Sequence, residues 1–130
     1  MLFFDNHPIV CQVFGQTIRS TFKMLILEHD AKEILHSSGV PVPRGVLAAS
    51  PGVAPPFDGP CFVKVQIPAG GRGKAGGIVR AETTAEIEAA LKRLLGTRIK
   101  GHPVRECRIE QAVGDAAEAY LSLAVDPVSG

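Results

Sequence analysis

Five glycines between Pro68 and Gly77, set around Arg72 and Lys74, form the stretch whose residue types and spacing most directly suggest chemistry. Within it Gly71-Arg72-Gly73-Lys74-Ala75-Gly76 satisfies G-x-G-x-x-G, a pattern shared by dinucleotide-binding folds and kinase-type phosphate loops. The flanks decide between them. A dinucleotide fingerprint needs its last glycine to open a helix aimed at the pyrophosphate, whereas here the β-branched Ile78 and Val79 follow at once. A P-loop is excluded as well, because Ala75 stands where the magnesium-holding Ser or Thr belongs and Pro68 replaces the first glycine. The segment therefore reads as strand, glycine loop, strand. In that geometry backbone N–H groups approach phosphate oxygens closely, and Arg72 and Lys74 add charge-assisted hydrogen bonds.

Lys64 is the second candidate. It stands alone in the apolar run Cys61-Phe62-Val63-Lys64-Val65-Gln66-Ile67, just ahead of the loop, where a lysine can reach the same phosphates as it does in kinases. A lysine on a solvated strand face is the plain alternative, and the adjoining loop favours the phosphate role. Charge agrees, since Lys64–Arg108 holds ten basic and four acidic residues, an excess of +6, while 109–130 holds four acids and no Lys or Arg. That distribution favours an anion near the loop.

Positioning these groups requires a regular frame. Ala31, Ile34 and Leu35 recur at helical spacing from Glu28 on, with Gly39 as the left-handed terminator. Val40-Pro41-Val42-Pro43 forces an extended path, Gly45–Ala49 reads as a strand, and the proline-rich Ser50–Pro60 as a loop. In Cys61–Ile67, Phe62, Lys64 and Gln66 alternate with Cys61, Val63, Val65 and Ile67, the signature of a strand with one buried face. Ile78–Ala81 is extended. Thr83 and Glu86 make a capping box that opens a helix striped by Ile87, Ala90, Leu91, Leu94 and Leu95 and stopped by Gly96. Strands are expected at Val104–Ala112 and Ala119–Asp126, joined by the small-residue linker Val113–Ala117.

With 130 residues, 45% apolar and 21% charged, the chain suits one compact domain or a piece of something larger. A net charge of +1 is too small for a general binder of nucleic acid or membrane surfaces, and Met1–Lys23 fits neither a membrane span nor a secretory signal. Residues 1–23 are read as an N-terminal extension, with disorder one reading of it, and 24–130 as the folded part. Three widely spaced cysteines, Cys11, Cys61 and Cys107, fit neither a disulfide framework nor a zinc site and point to a reducing compartment.

Three stretches together resemble the β subunit of ADP-forming succinyl-CoA synthetase and its relatives malate–CoA ligase and ATP-citrate lyase. They are Met24–Leu35 with Gly39–Pro43 behind it, Val63–Ile67 running into Ala69–Gly77, and Arg108–Ala112 followed by Glu118–Leu121. The resemblance spans Met24 to about Asp126. It implies an α/β (α+β) fold, the N-terminal lobe of an ATP-grasp domain with a glycine-rich β-loop-β flap over the nucleotide. It further implies that Lys64 binds the phosphates, that Gly71, Arg72 and Gly73 form the flap, that Glu110 and the backbone of Val113 face the base, and that Glu118 accepts from the ribose hydroxyls. No catalytic residue and no metal ligand is assigned. ATP with Mg2+ is the expected cofactor, with the magnesium ligands in a second lobe beyond these residues. An α-type CoA-binding subunit, which carries the family's phosphohistidine, is the expected partner, so His7, His29, His36 and His102 receive no such role. A cytoplasmic ligase of the tricarboxylic acid cycle follows, or one of the mitochondrial matrix in a eukaryote. This chain alone, without the second lobe, is expected to be inactive.

Two rivals belong to other classes. One is a stand-alone, non-catalytic nucleotide- or phosphate-binding or interaction module that keeps the flap. The other is an RNA binder using Gly-Arg-Gly, which is disfavoured because only Phe57, Phe62 and Tyr120 could stack bases near the loop and no aromatic interleaves it.

Overall fold

The computed structural model describes residues 9–13, 16–20 and 26–114. Within the segment expected to be an extension, two strands, β1 (Ile9–Val13) and β2 (Gln16–Ser20), pair antiparallel. The expected strand at Ala119–Asp126 and most of the linker before it lie outside the described residues.

The remainder is a four-stranded antiparallel sheet between two helices. Its strands are β3 (Gly45–Ala48), β4 (Cys61–Val65), β5 (Ile78–Ala81) and β8 (Cys107–Gln111), in the order β3-β8-β4-β5. Two short strands, β6 (Arg98–Ile99) and β7 (His102–Pro103), form a separate hairpin. Lys100 and Gly101 turn it with φ of 52° and 82°, the left-handed pair that a two-residue hairpin turn demands. The mixed α and β fold expected from the sequence is the one observed.

Alternation along β4 sets the two faces of the sheet. Cys61, Val63 and Val65 are buried, and with Ala48, Ala81, Cys107 and Ile109 they meet Ile87, Ala90, Leu91 and Leu94 of α2 (Thr84–Leu94) in one apolar core. Helix α2 opens as its capping signature predicts, with the Thr83 hydroxyl accepting from the Glu86 N–H at 3.2 Å. The Glu86 carboxylate reaches one residue further back and accepts from the Glu82 N–H at 2.7 Å. Val53 and Phe57 of the proline-rich loop pack against the rim of this core.

Helix α1 (Glu28–Ser37) covers the opposite face. It ends as Gly39 predicts, with φ of 81° and hydrogen bonds from the Gly39 N–H to His36 O and from the Val40 N–H to Leu35 O, the Schellman arrangement. The apolar residues at helical spacing are only partly buried. Ala31 is buried, but Ile34 and Leu35 are 53% and 37% exposed, and the helix meets the sheet through charged and polar side chains instead.

The strand expected at Val104–Ala112 starts three residues later, and the hairpin explains the shift. The Val104 N–H donates to Thr97 O and its carbonyl accepts from the Gly96 N–H, so Val104 extends the β6–β7 hairpin rather than the main sheet.

Candidate functional site

Register places the polar face. Across the sheet Leu47, Arg108, Lys64 and Ile78 form one row and Gly45, Glu110, Phe62 and Arg80 the next. Lys64 and Arg108 are therefore direct cross-strand partners, an arrangement of like charges that is unfavourable unless an anion bridges it. Glu110 supplies that anion. Its Oε1 accepts from Lys64 Nζ at 2.6 Å and its Oε2 from Arg108 Nε at 2.9 Å.

Helix α1 then lays a second carboxylate and a further cation over this row. Lys32 Nζ donates to Glu110 Oε2 and, at 2.9 Å, to Glu28 Oε1. Lys64 Nζ also reaches Glu28 Oε1 at 3.2 Å. Glu28, Lys32, Glu110 and Lys64 thus close a ring of alternating charge. Arg72 joins it from the glycine loop, donating to Glu28 Oε2 and, at 2.6 Å, to the carbonyl of Val65.

These groups are largely withdrawn from water. The side chains of Glu28, Lys32, Lys64 and Arg72 are 16–18% exposed and that of Glu110 is 5% exposed, while Arg108 is buried. Burying charges is costly unless each finds a partner. Every fully buried side-chain nitrogen and oxygen among the described residues has one. Arg108 completes its set with His29 Nδ1 at 2.7 Å and Pro43 O at 3.2 Å, and the exposed Glu33 carboxylate stands 3.5 Å away. Gln66 fastens the start of α1 by accepting from the His29 N–H at 3.0 Å.

Burial alone would raise the pKa of Glu28, but hydrogen bonds from Lys32 and Arg72, with the charges of Lys32 and Lys64, hold it at about 2. Burial opposes ionisation of Glu110 too, and hydrogen bonds from Lys32, Lys64 and Arg108 outweigh it to leave the pKa below its ordinary value. Both carboxylates are therefore ionised at neutral pH. Among the described residues, Lys32, Lys64, Arg72 and Arg108 pair with these two carboxylates within the layer, with Glu33 at its rim. A low-dielectric site with surplus cations is suited to an anion. It is poorly suited to a metal ion, since ammonium and guanidinium groups occupy the carboxylate oxygens, and among the described residues no cluster of metal-ligating side chains occurs.

The glycine loop joins β4 to its antiparallel neighbour β5, the strand–loop–strand arrangement read from Ile78 and Val79. Its turns close on Arg72, whose carbonyl accepts from the N–H groups of Ala75 and Gly77. Gly71 and Gly76 adopt φ of 67° and 76°, conformations that side-chain-bearing residues seldom take. Gly77 is required for space, because a Cβ there would stand 2.7 Å from Val65 Cγ2. Lys100, at the tip of the β6–β7 hairpin, donates to Gly70 O at 2.7 Å and braces the loop from outside.

Of the residues singled out from the sequence, Lys64, Arg72 and Glu110 come together in one layer. Gly71 and Gly73 lie exposed on the loop beside it, as does Lys74. Val113 is 66% exposed just beyond β8. Glu118 lies outside the described residues. The Glu110 carboxylate, expected to face a base, is committed to three cations. Glu28, Lys32 and Arg108 lie within the motifs of the resemblance, which implies no role for them. Of their links the four-residue spacing of Glu28 and Lys32 on a helix and the two-residue spacing of Arg108 and Glu110 on a strand are visible locally, whereas Lys32 meets Glu110 and Arg108 meets His29 across 78 and 79 residues of chain.

Comparison with known proteins places the sequence in a family. The ATP-grasp domain family matches residues 25–129. The β subunit of ADP-forming succinate–CoA ligase from Halobacterium salinarum is 40% identical over 111 residues, which cover 82% of this chain and 29% of that protein. The corresponding ADP-forming subunit from Rubrobacter xylanophilus is 43% identical over 107 residues, covering 79% and 28%. A GDP-forming β subunit from Thermus thermophilus is 40% identical with the same coverage. The chain thus spans less than a third of the length of these relatives. That match takes in α1, the glycine loop and β8 and covers most of the sequence, and the chain belongs to the ATP-grasp domain family.

Proposed function

We propose that this chain is the nucleotide-phosphate-binding lobe of an ADP-forming acid–CoA ligase of the succinate–CoA ligase type. One observation carries the reading: Lys64 of β4 and Arg72 of the glycine loop converge on a single half-buried carboxylate, in a layer whose described residues hold more cations than anions. Family membership and the names of the relatives support it.

In this reading Lys64 and Arg72 donate charge-assisted hydrogen bonds to phosphate oxygens, and the N–H groups of Gly71 and Gly73 approach them without steric hindrance. The loop acts as a flap. Glu110 fixes Lys64 and Arg108 in place, so its contribution is the orientation of cations. Base contact falls to the main chain at Val113, and Glu118 accepts from the ribose hydroxyls. Phosphoryl transfer is driven chiefly by positioning and charge stabilisation, and this lobe supplies part of both. Magnesium, when bound with the nucleotide, would neutralise phosphate charge. Its ligands, the acid site, the CoA site and contact with an α-type subunit are assigned to regions beyond these 130 residues.

The test is to add Mg-ATP to the isotope-labelled chain and follow its amide signals. Shifts at Gly71 and Gly73 that largely vanish in Lys64→Ala are expected. Equal shifts in both proteins would refute the site.

A further inference from the structure

Glu28 occupies an unusual position for a carboxylate in an anion site. Its two oxygens gather Lys32, Lys64 and Arg72, which come from a helix, a central strand and the glycine loop. Arg72 is drawn down toward α1 by this contact and held there by Val65 O. A carboxylate and a phosphate present the same feature to these cations, namely oxygens that accept two or three charge-assisted hydrogen bonds. These contacts occupy the cations, and a phosphate that binds them must displace a group tethered beside them.

We infer that Glu28 is a built-in surrogate for phosphate. It keeps Lys32, Lys64 and Arg72 gathered and the glycine loop latched to α1 in the free chain, and it yields Lys64 and Arg72 when a phosphate group enters. Lys32 remains with Glu110, so the exchange does not leave the ring without an ion pair. The inference rests on the proposed phosphate role of the site and adds a competitor that belongs to the chain itself. A phosphate bearing more negative charge than one carboxylate has the advantage in this exchange, which makes the latch selective for polyphosphates over monovalent anions.

Two measurements on the full chain, with inorganic pyrophosphate as the probe, test it. The first is amide hydrogen exchange of residues 70–77 without ligand, in wild type, Glu28→Gln and the charge-preserving but shorter Glu28→Asp. Both variants are expected to exchange at least fivefold faster there, with β4 and α2 unchanged. The second is calorimetric titration with pyrophosphate, in which Glu28→Gln is expected to bind about tenfold tighter than wild type. Should that variant fail to fold, Glu28→Asp replaces it with an expected gain of about threefold. Unchanged exchange and affinity, with binding still lost in Lys64→Ala, would overturn the surrogate role and leave the phosphate site standing. Faster exchange with no pyrophosphate binding by any of the proteins would overturn both. Weaker binding in Glu28→Gln would show that the carboxylate supports the site, and would also overturn the inference.

Discussion

Gly45→Ala is a one-methyl change at a position with no conformational need for glycine, and the structure makes it severe. A Cβ on Gly45 would stand 2.7 Å from Arg108 Cζ and Nη2 and 2.8 Å from Nε, where ordinary contact needs about 3.5 Å or more. Exposed arginines move aside cheaply. This one is 1% exposed and pinned by Glu110 at 2.9 Å, His29 at 2.7 Å and Pro43 O at 3.2 Å. A shift of the guanidinium large enough to admit the methyl breaks the bond to Glu110 or to His29. Losing a hydrogen bond to a charged group costs roughly 1.5–3 kcal/mol, and breaking a buried ion pair about 3–5 kcal/mol. We expect Gly45→Ala to destabilise the chain by about 3 kcal/mol, a large share of the roughly 5–15 kcal/mol typical of a domain. Urea denaturation followed by circular dichroism measures it, with an unchanged slope showing that the native fold is the reference. The same substitution in an Arg108→Met background should cost less than about 1 kcal/mol, because the clashing group is gone. A cost below about 1 kcal/mol in the wild-type background, or the same cost in both, would refute the packing argument.

Two further outcomes follow from the buried groups. Glu28 is held at a pKa of about 2 against an ordinary 4.5, so its contribution to stability is complete above pH 4.5 and is lost as pH falls toward 2. By linkage this amounts to about 3 kcal/mol, and denaturation at pH 7, 4 and 3 should show the loss, with a flatter profile in Glu28→Gln. Burial pushes the Cys107 thiol up to about 11, so mass spectrometry of the native chain at pH 8 should find Cys107 unmodified by iodoacetamide over minutes and modified once urea is present. Rapid native labelling would contradict its burial.

The sheet was legible where residues only had to report their own environment. The alternation in Cys61–Ile67 gives the buried and polar faces of β4 because a strand's side chains alternate by geometry. The β-branched Ile78 and Val79 show that the glycine loop returns as a strand, and Thr83 with Glu86 places the start of α2. The charged ring was not legible, because helix α1 meets the sheet face through contacts such as Lys32–Glu110 and Lys64–Glu28 that local spacing does not encode. The same fact explains the exposure of Ile34 and Leu35 on α1. Its periodic Ile34 and Leu35 satisfy a helical pattern, yet the sheet face beneath carries Lys64, Gln66, Arg108 and Glu110, and the helix docks through Glu28, His29 and Lys32 instead. Hairpin β6–β7 escaped notice because two-residue strands carry too few side chains to show a period.

The account stands on Lys64 as the cation that a nucleotide's phosphates recruit. Its direct test is the affinity of the full chain for Mg-ATP by equilibrium dialysis, in wild type, in Lys64→Ala, and in Lys92→Ala, whose exposed lysine lies on α2 and pairs with Glu88. We predict that Lys64→Ala binds at least tenfold more weakly and that Lys92→Ala matches wild type. Equal affinity in all three proteins, with Lys64→Ala shown to be folded, would contradict the account.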